Sequence, residues 1–161
     1  MIYSRTTEYA IRALAYLASD PNSSGIYTIG RKVGVPPAYV SKIFQGLVHS
    51  GILDSKTGAK GGYFLRKKPS ELKLIQIIRA IDDISRSPFS GCVMAFAQCG
   101  EKNPCPLHFI WLKAKKNMEE RLNSTTLLDM MEVINSKKPR KRKKVTLSKK
   151  MRQVFGQNKR I

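Results

Sequence analysis

The stretch Thr28-Ile29-Gly30-Arg31-Lys32-Val33-Gly34-Val35-Pro36-Pro37-Ala38-Tyr39-Val40-Ser41-Lys42-Ile43-Phe44-Gln45-Gly46-Leu47-Val48 decides the fold. Thr28 can cap a short helix over Ile29 to Val33, and Gly34 stands where a left-handed residue stops a helix. Pro36-Pro37 then favour the first turn of a second helix. Along it Tyr39, Val40, Ile43, Phe44, Leu47 and Val48 recur at spacings that pack inward, until Gly51 ends the run. Two helices joined by a short Gly-containing turn, the second with polar residues near its start, make a helix-turn-helix pattern.

Upstream, Ile11, Leu14, Ala15 and Ala18 make an apolar stripe on a helix over Thr6 to Ser19, with Ser4 or Thr6 as its cap. Asp20-Pro21-Asn22-Ser23-Ser24-Gly25 terminates it. Downstream, Ile52-Leu53-Asp54-Ser55 and Tyr63-Phe64-Leu65 read as short strands around the Gly-rich loop Lys56 to Gly62, a β-wing with two lysines at its tip. A helix over Leu72 to Asp83 follows. Residues 84–104 are irregular. A long helix from Pro106 to Asn123 carries Leu107, Ile110, Trp111, Ala114, Met118 and Leu122 as a stripe, and a short helix covers Thr125 to Ile134. A stripe that long needs a surface to bury it, which a homodimer supplies. The expected architecture is mainly α: a winged helix-turn-helix over 1–83, a cysteine loop over 84–105, a dimerisation helix and final helix over 106–135, and a basic, disordered tail over 136–161.

Charge points to the partner. The chain has 161 residues and a formal charge of +19. Residues 137–161 hold 12 of its 30 Lys and Arg and no acidic residue, leaving 18 basic against 11 acidic residues, or +7, on the body. A basic body favours a polyanion such as double-stranded DNA, because each phosphate contact releases counterions. Tyr39, Ser41, Lys42 and Gln45 on the second helix of the motif are candidates for base edges and phosphates. Lys56, Thr57 and Lys60 on the wing are candidates for the backbone or minor groove. No apolar run reaches transmembrane length and the start resembles no signal peptide, so the expected location is the cytoplasm, with no membrane partner.

Cys92, Cys99 and Cys105 are the only cysteines. In a reducing compartment, cysteines this close are ligands or redox sensors in preference to disulfides. Their spacing, Cys-x6-Cys-x5-Cys, is wider than a structural zinc knuckle and suits an iron–sulfur cluster. His108, three positions beyond Cys105, and Glu8, in the first helix, are alternative fourth ligands. A Cys105–His108 nucleophile–base pair is the enzymatic alternative, and no glycine-rich phosphate cradle or paired carboxylates accompany it. The expectation is that the protein is not an enzyme.

Most of residues 1–135 resemble the IscR/NsrR-type (Rrf-two) family of bacterial transcription regulators. The resemblance is carried by Thr7-Glu8-Tyr9-Ala10-Ile11-Arg12-Ala13-Leu14, Ala38-Tyr39-Val40-Ser41-Lys42-Ile43-Phe44, Gly61-Gly62-Tyr63-Phe64-Leu65, the three cysteines, and Cys105-Pro106-Leu107-His108-Phe109-Ile110-Trp111. It implies a homodimer of winged helix-turn-helix subunits on a palindromic operator, crossed through the long helix. It further implies an iron–sulfur cluster on Cys92, Cys99 and Cys105 that senses iron–sulfur status, redox state or nitric oxide and controls repression. In one branch the residue matching His108 completes a 2Fe–2S cluster. In others an Asp or Glu at the position of Glu8, from the other subunit, completes the site, the Asp around a 4Fe–4S cluster. This chain carries both candidates. Its first cysteine gap is one residue longer than the family's usual Cys-x5-Cys, and its basic tail lies outside the resemblance. Some members work without a cluster, through thiol oxidation or a protein partner.

Overall fold

A computed structural model describes residues 3–20, 25–58, 61–82, 91–92, 94 and 104–136. Its elements run α1 (Arg5–Ser19), α2 (Ile26–Val33), α3 (Pro37–His49), β1 (Leu53–Lys56), β2 (Gly62–Leu65), α4 (Leu74–Ile81), α5 (His108–Ser124) and α6 (Leu127–Ser136). This is a mainly α winged helix-turn-helix. Residues 83–90, 93, 95–103 and 137–161, which include Cys99 and the basic tail, lie outside the described residues, as do Ala59 and Lys60 at the wing tip.

α1 is the centre of the core. The Ser4 side chain accepts the Thr7 N–H and caps its start. Ala10, Ile11, Ala13, Leu14, Ala15 and Leu17 are all buried, and small residues among them let other helices approach closely. α2, α3, α4 and α6 each pack on α1. Ile29 and Val33 of α2, Val40, Ile43, Phe44 and Leu47 of α3, Leu53 of the wing, Ile77 of α4 and Leu127 of α6 complete the cluster.

The turn of the motif is fixed by two glycines. Gly34 adopts φ 72°, ψ 37° and ends α2, a conformation that costs a residue with a Cβ. Gly30 is buried because α3 arrives there. A Cβ on it would stand 2.8 Å from the Val35 carbonyl oxygen and 3.4 Å from the Pro37 Cα. The Gly30 carbonyl in turn accepts the Val35 N–H at 2.9 Å. Pro37 opens α3, and the wing is an antiparallel pair in the register Leu53↔Leu65 to Lys56↔Gly62.

Element boundaries differ from the sequence reading for identifiable reasons. α2 begins at Ile26, three residues early, because Ile26 packs against the core and the Gly25 carbonyl accepts the Ile29 N–H; Thr28 lies within the helix. α4 begins at Leu74 because Leu72 and Lys73 are committed elsewhere. The Leu72 carbonyl accepts the Leu127 N–H at 2.8 Å, and Lys73 bridges Thr126. α4 ends at Ile81, with Asp82 in extended conformation. α5 starts at His108, two residues later than Pro106.

α6 starts at Leu127 because Thr126 and Asp129 cap it reciprocally. The Asp129 carboxylate accepts the Thr126 N–H at 2.7 Å, and Thr126 Oγ1 accepts the Asp129 N–H at 3.3 Å. The largest departure is on α5. Trp111, Met118 and Leu122 are half-buried as expected, but Leu107, Ile110 and Ala114 are exposed, Ile110 by 69%, and the buried position is His108. The helix meets its own subunit along His108, Trp111, Met118 and Leu122 and leaves an adjacent apolar face, with Leu107 and Ile110, open.

Candidate nucleic-acid interface and thiol site

The polar residues of α3 fall on its outer side because the apolar ones are claimed by α1. Lys42 and Gln45 are exposed, and Ser41 is half-buried. Tyr39 behaves differently from the inward-packing residue expected of the stripe. It is 37% exposed, yet anchored: its hydroxyl lies 2.7 Å from Thr6 Oγ1, and its ring meets Tyr9 edge-on at 6.2 Å. On the wing Lys56 and Thr57 are exposed, and the Lys56 ammonium sits 5.4 Å from the Phe64 ring centroid, a cation–π contact on the strand surface. Lys60 lies outside the described residues. Arg66 is bound to the Asp54 carboxylate at 2.9 Å, both about half exposed, so this ion pair contributes little to stability.

Sequence reasoning did not select Tyr27. It is 81% exposed at the second position of α2, a place from which an aromatic hydroxyl reaches outward. The overlooked signal was Gly25-Ile26, which starts α2 early and brings Tyr27 onto the helix.

The candidate cluster ligands are partly gathered. Cys92 and Cys105 are both of intermediate exposure. The Cys105 carbonyl accepts the His108 N–H at 2.9 Å, so these two residues share the turn that opens α5. His108 is buried, with 5% of its surface exposed. One turn further on, the Trp111 indole N–H donates to the Gly91 carbonyl at 2.9 Å. That bond brings the residue preceding Cys92 against the same end of α5. Glu8 is half-buried in the first turn of α1, where a carboxylate is favoured by the helix dipole. Among the described residues no three His, Cys, Asp or Glu side chains converge, and Cys99 lies outside them. By donor chemistry the set fits a cluster, since cysteine thiolates and an imidazole are the ligands iron–sulfur centres take.

No described helix is long and apolar enough to cross a membrane. A family model described as "Rrf2: Iron-dependent Transcriptional regulator" matches residues 3–133. A provisionally named HTH-type transcriptional regulator of Aquifex aeolicus (strain VF5) is 29% identical over 136 residues, covering 83% of this chain and 93% of its own length. Protein rrf2 of Nitratidesulfovibrio vulgaris (strain Hildenborough) is 28% identical over 134 residues, covering 78% and 83%. Among solved structures, CymR, the global cysteine regulator of B. subtilis, superposes with a TM-score of 0.68 at 22% identity, covering 83% of this chain and 98% of its own. T. potens IscR superposes with a TM-score of 0.63 at 25% identity, covering 89% and 94%.

Proposed function

Because the chain belongs to the Rrf2 family of transcriptional regulators, we propose that it is a homodimeric, cytoplasmic repressor whose grip on a palindromic operator is set by an iron–sulfur cluster on Cys92, Cys99 and Cys105. The observation that carries this reading is the Trp111–Gly91 hydrogen bond, which holds the Cys92 segment to the His108 end of α5. DNA binding follows from the family and the fold. The assignment of contacts is ours: Tyr39 and Lys42 to phosphates, Ser41 and Gln45 to base edges, and Lys56, Thr57 and Lys60 to the backbone beside the wing.

Cys92, Cys99 and Cys105 would hold the cluster, which when bound would supply a redox- and nitric-oxide-reactive centre. The chain's own residues do the rest. Cys105 and His108 fix the start of α5, and Arg79 of α4 pairs with Glu119 of α5 at 3.5 Å. The exposed apolar face of α5, with Leu107 and Ile110, meets its counterpart in a second subunit. Any change at the start of α5 therefore alters the distance between two recognition helices. A dimer must seat both at once, so a small change in spacing costs much affinity.

Purification without air tests the ligand set. Wild type should carry iron and acid-labile sulfide with visible absorption. Whichever of His108→Ala and Glu8→Ala removes the fourth ligand should change the spectrum, which reports 2Fe–2S or 4Fe–4S. A colourless, iron-free wild type would contradict the assignment.

A second reading keeps the DNA reader without a cluster. It is favoured by the half-exposed thiols of Cys92 and Cys105, which are open to oxidation. It expects no iron, and DNA affinity that falls on peroxide treatment and returns with reductant.

A further inference from the structure

The first turn of α1 does more than start a helix. The Ser4 N–H donates to the Asp82 carboxylate at 2.8 Å, while its side chain caps α1 by accepting the Thr7 N–H. Between these two fixed residues stands Thr6, whose hydroxyl meets that of Tyr39 at 2.7 Å. Tyr39 sits in the first turn of α3, on the exposed side, with its ring edge against Tyr9. The extended backbone of Asp82 marks the exit of α4.

We infer that Thr6 and Asp82 are positioning residues for DNA binding: Thr6 orients the Tyr39 hydroxyl toward a phosphate, and Asp82 holds the turn that carries Thr6. This deepens the proposed function and rests on its assignment of Tyr39 to the backbone. The chemistry is directional. A phosphate oxygen only accepts, so a DNA-bound Tyr39 must spend its one O–H proton outward. Its oxygen is then left to accept, and Thr6 is the donor at hand. A hydroxyl that accepts one hydrogen bond donates a stronger one. The arrangement also removes a cost, because the tyrosine is already held in place before DNA arrives. Without the Ser4–Asp82 bond the start of α1 frays, as helix ends do, and Thr6 moves with it.

The test uses the full chain and a duplex that wild type enriches from a randomised library. Affinity is measured by anisotropy for Thr6→Val, Thr6→Ser, Asp82→Ala and Asp82→Asn, each alone and combined with Tyr39→Phe. Thr6→Val and Asp82→Ala should weaken binding about three- to tenfold. Thr6→Ser and Asp82→Asn keep the donor and the acceptor and should restore it. In the Tyr39→Phe background none should add a further loss of affinity, with every variant shown to be folded at the assay temperature by circular dichroism. Wild-type affinity in Thr6→Val, or a loss of equal size with and without the Tyr39 hydroxyl, overturns the inference. Tyr39→Phe binding as tightly as wild type overturns the phosphate assignment and the inference together. Each measurement is repeated on chain purified without air and on chain stripped of iron. Failure of cluster gating, which would leave the two wild-type preparations alike, is thereby read separately.

Discussion

The Trp111 indole N–H donates to the Gly91 carbonyl oxygen at 2.9 Å, joining the long helix to the segment that carries Cys92. Trp111 is half-buried, and the bond itself lies at the surface. Trp111→Phe keeps the ring and loses the donor. It should leave the fold intact and raise the rate of alkylation at Cys92 about two- to tenfold, the range set by one hydrogen bond. Mass spectrometry of labelled peptides measures this. An unchanged rate at Cys92 would mean that the bond does not restrain the thiol segment.

Gly30 is required by the approach of α3. Gly30→Val places a Cβ 2.8 Å from the Val35 carbonyl oxygen, and backbone must move to relieve it. The expected loss is about 1–3 kcal/mol, seen as a lower thermal midpoint. Helix propensity is a minor term here and does not offset the clash. A midpoint at or above that of wild type would remove the close approach from the account of the fold.

The two classes of DNA contact should separate in a salt titration. Lys42→Ala and Lys56→Ala should weaken binding to all sequences alike and flatten the dependence of log K on log salt by about one unit each. Gln45→Ala should cost about 1–3 kcal/mol on the enriched duplex and little on random DNA. If Gln45→Ala weakens both duplexes equally, its side chain reads no base.

Asp129 gives a pH signature to α6. The Thr126 N–H and then the Thr126 hydroxyl donate to its carboxylate and hold its pKa below the usual value of 3.8. Folding therefore favours the charged form, and the cap's contribution is fully present above that pH. It is lost as pH falls through the lowered value. The stability gap between wild type and Asp129→Ala should be constant near neutrality and close below pH 3.8. A gap that widens on acidification would contradict the sign.

The fold was legible because its punctuation is local. Pro37 fixes its own φ, and Gly34, Gly51 and Gly58 permit the positive φ at which a helix ends or the wing turns, so the motif could be read from them. Boundaries set by distant partners were not legible. Nothing near Leu72 or Lys73 announces that their backbones pair with Thr126 and Leu127. Likewise the heptad-like stripe of α5 could not tell which of its apolar residues face the same subunit. Trp111 turned inward beside His108, and Ile110 did not. For the candidate site, the exposure of Lys42 and Gln45 follows from helix periodicity, and that of Lys56 and Thr57 from their place where β1 runs into the wing loop. The tether from Thr6 to Tyr39, 33 residues apart, depends on how α1 crosses α3, and no local pattern encodes it.

In the proposed function, the state of the thiol segment sets affinity for DNA. Its most direct measurement is operator binding, at one salt concentration, by chain purified without air, by the same chain stripped of iron, and by the triple Cys92→Ala, Cys99→Ala, Cys105→Ala variant. The stripped and triple-variant proteins should bind alike and differ from the iron-loaded chain by about tenfold or more, a coupling of about 1.4 kcal/mol. Equal affinity in all three would contradict it.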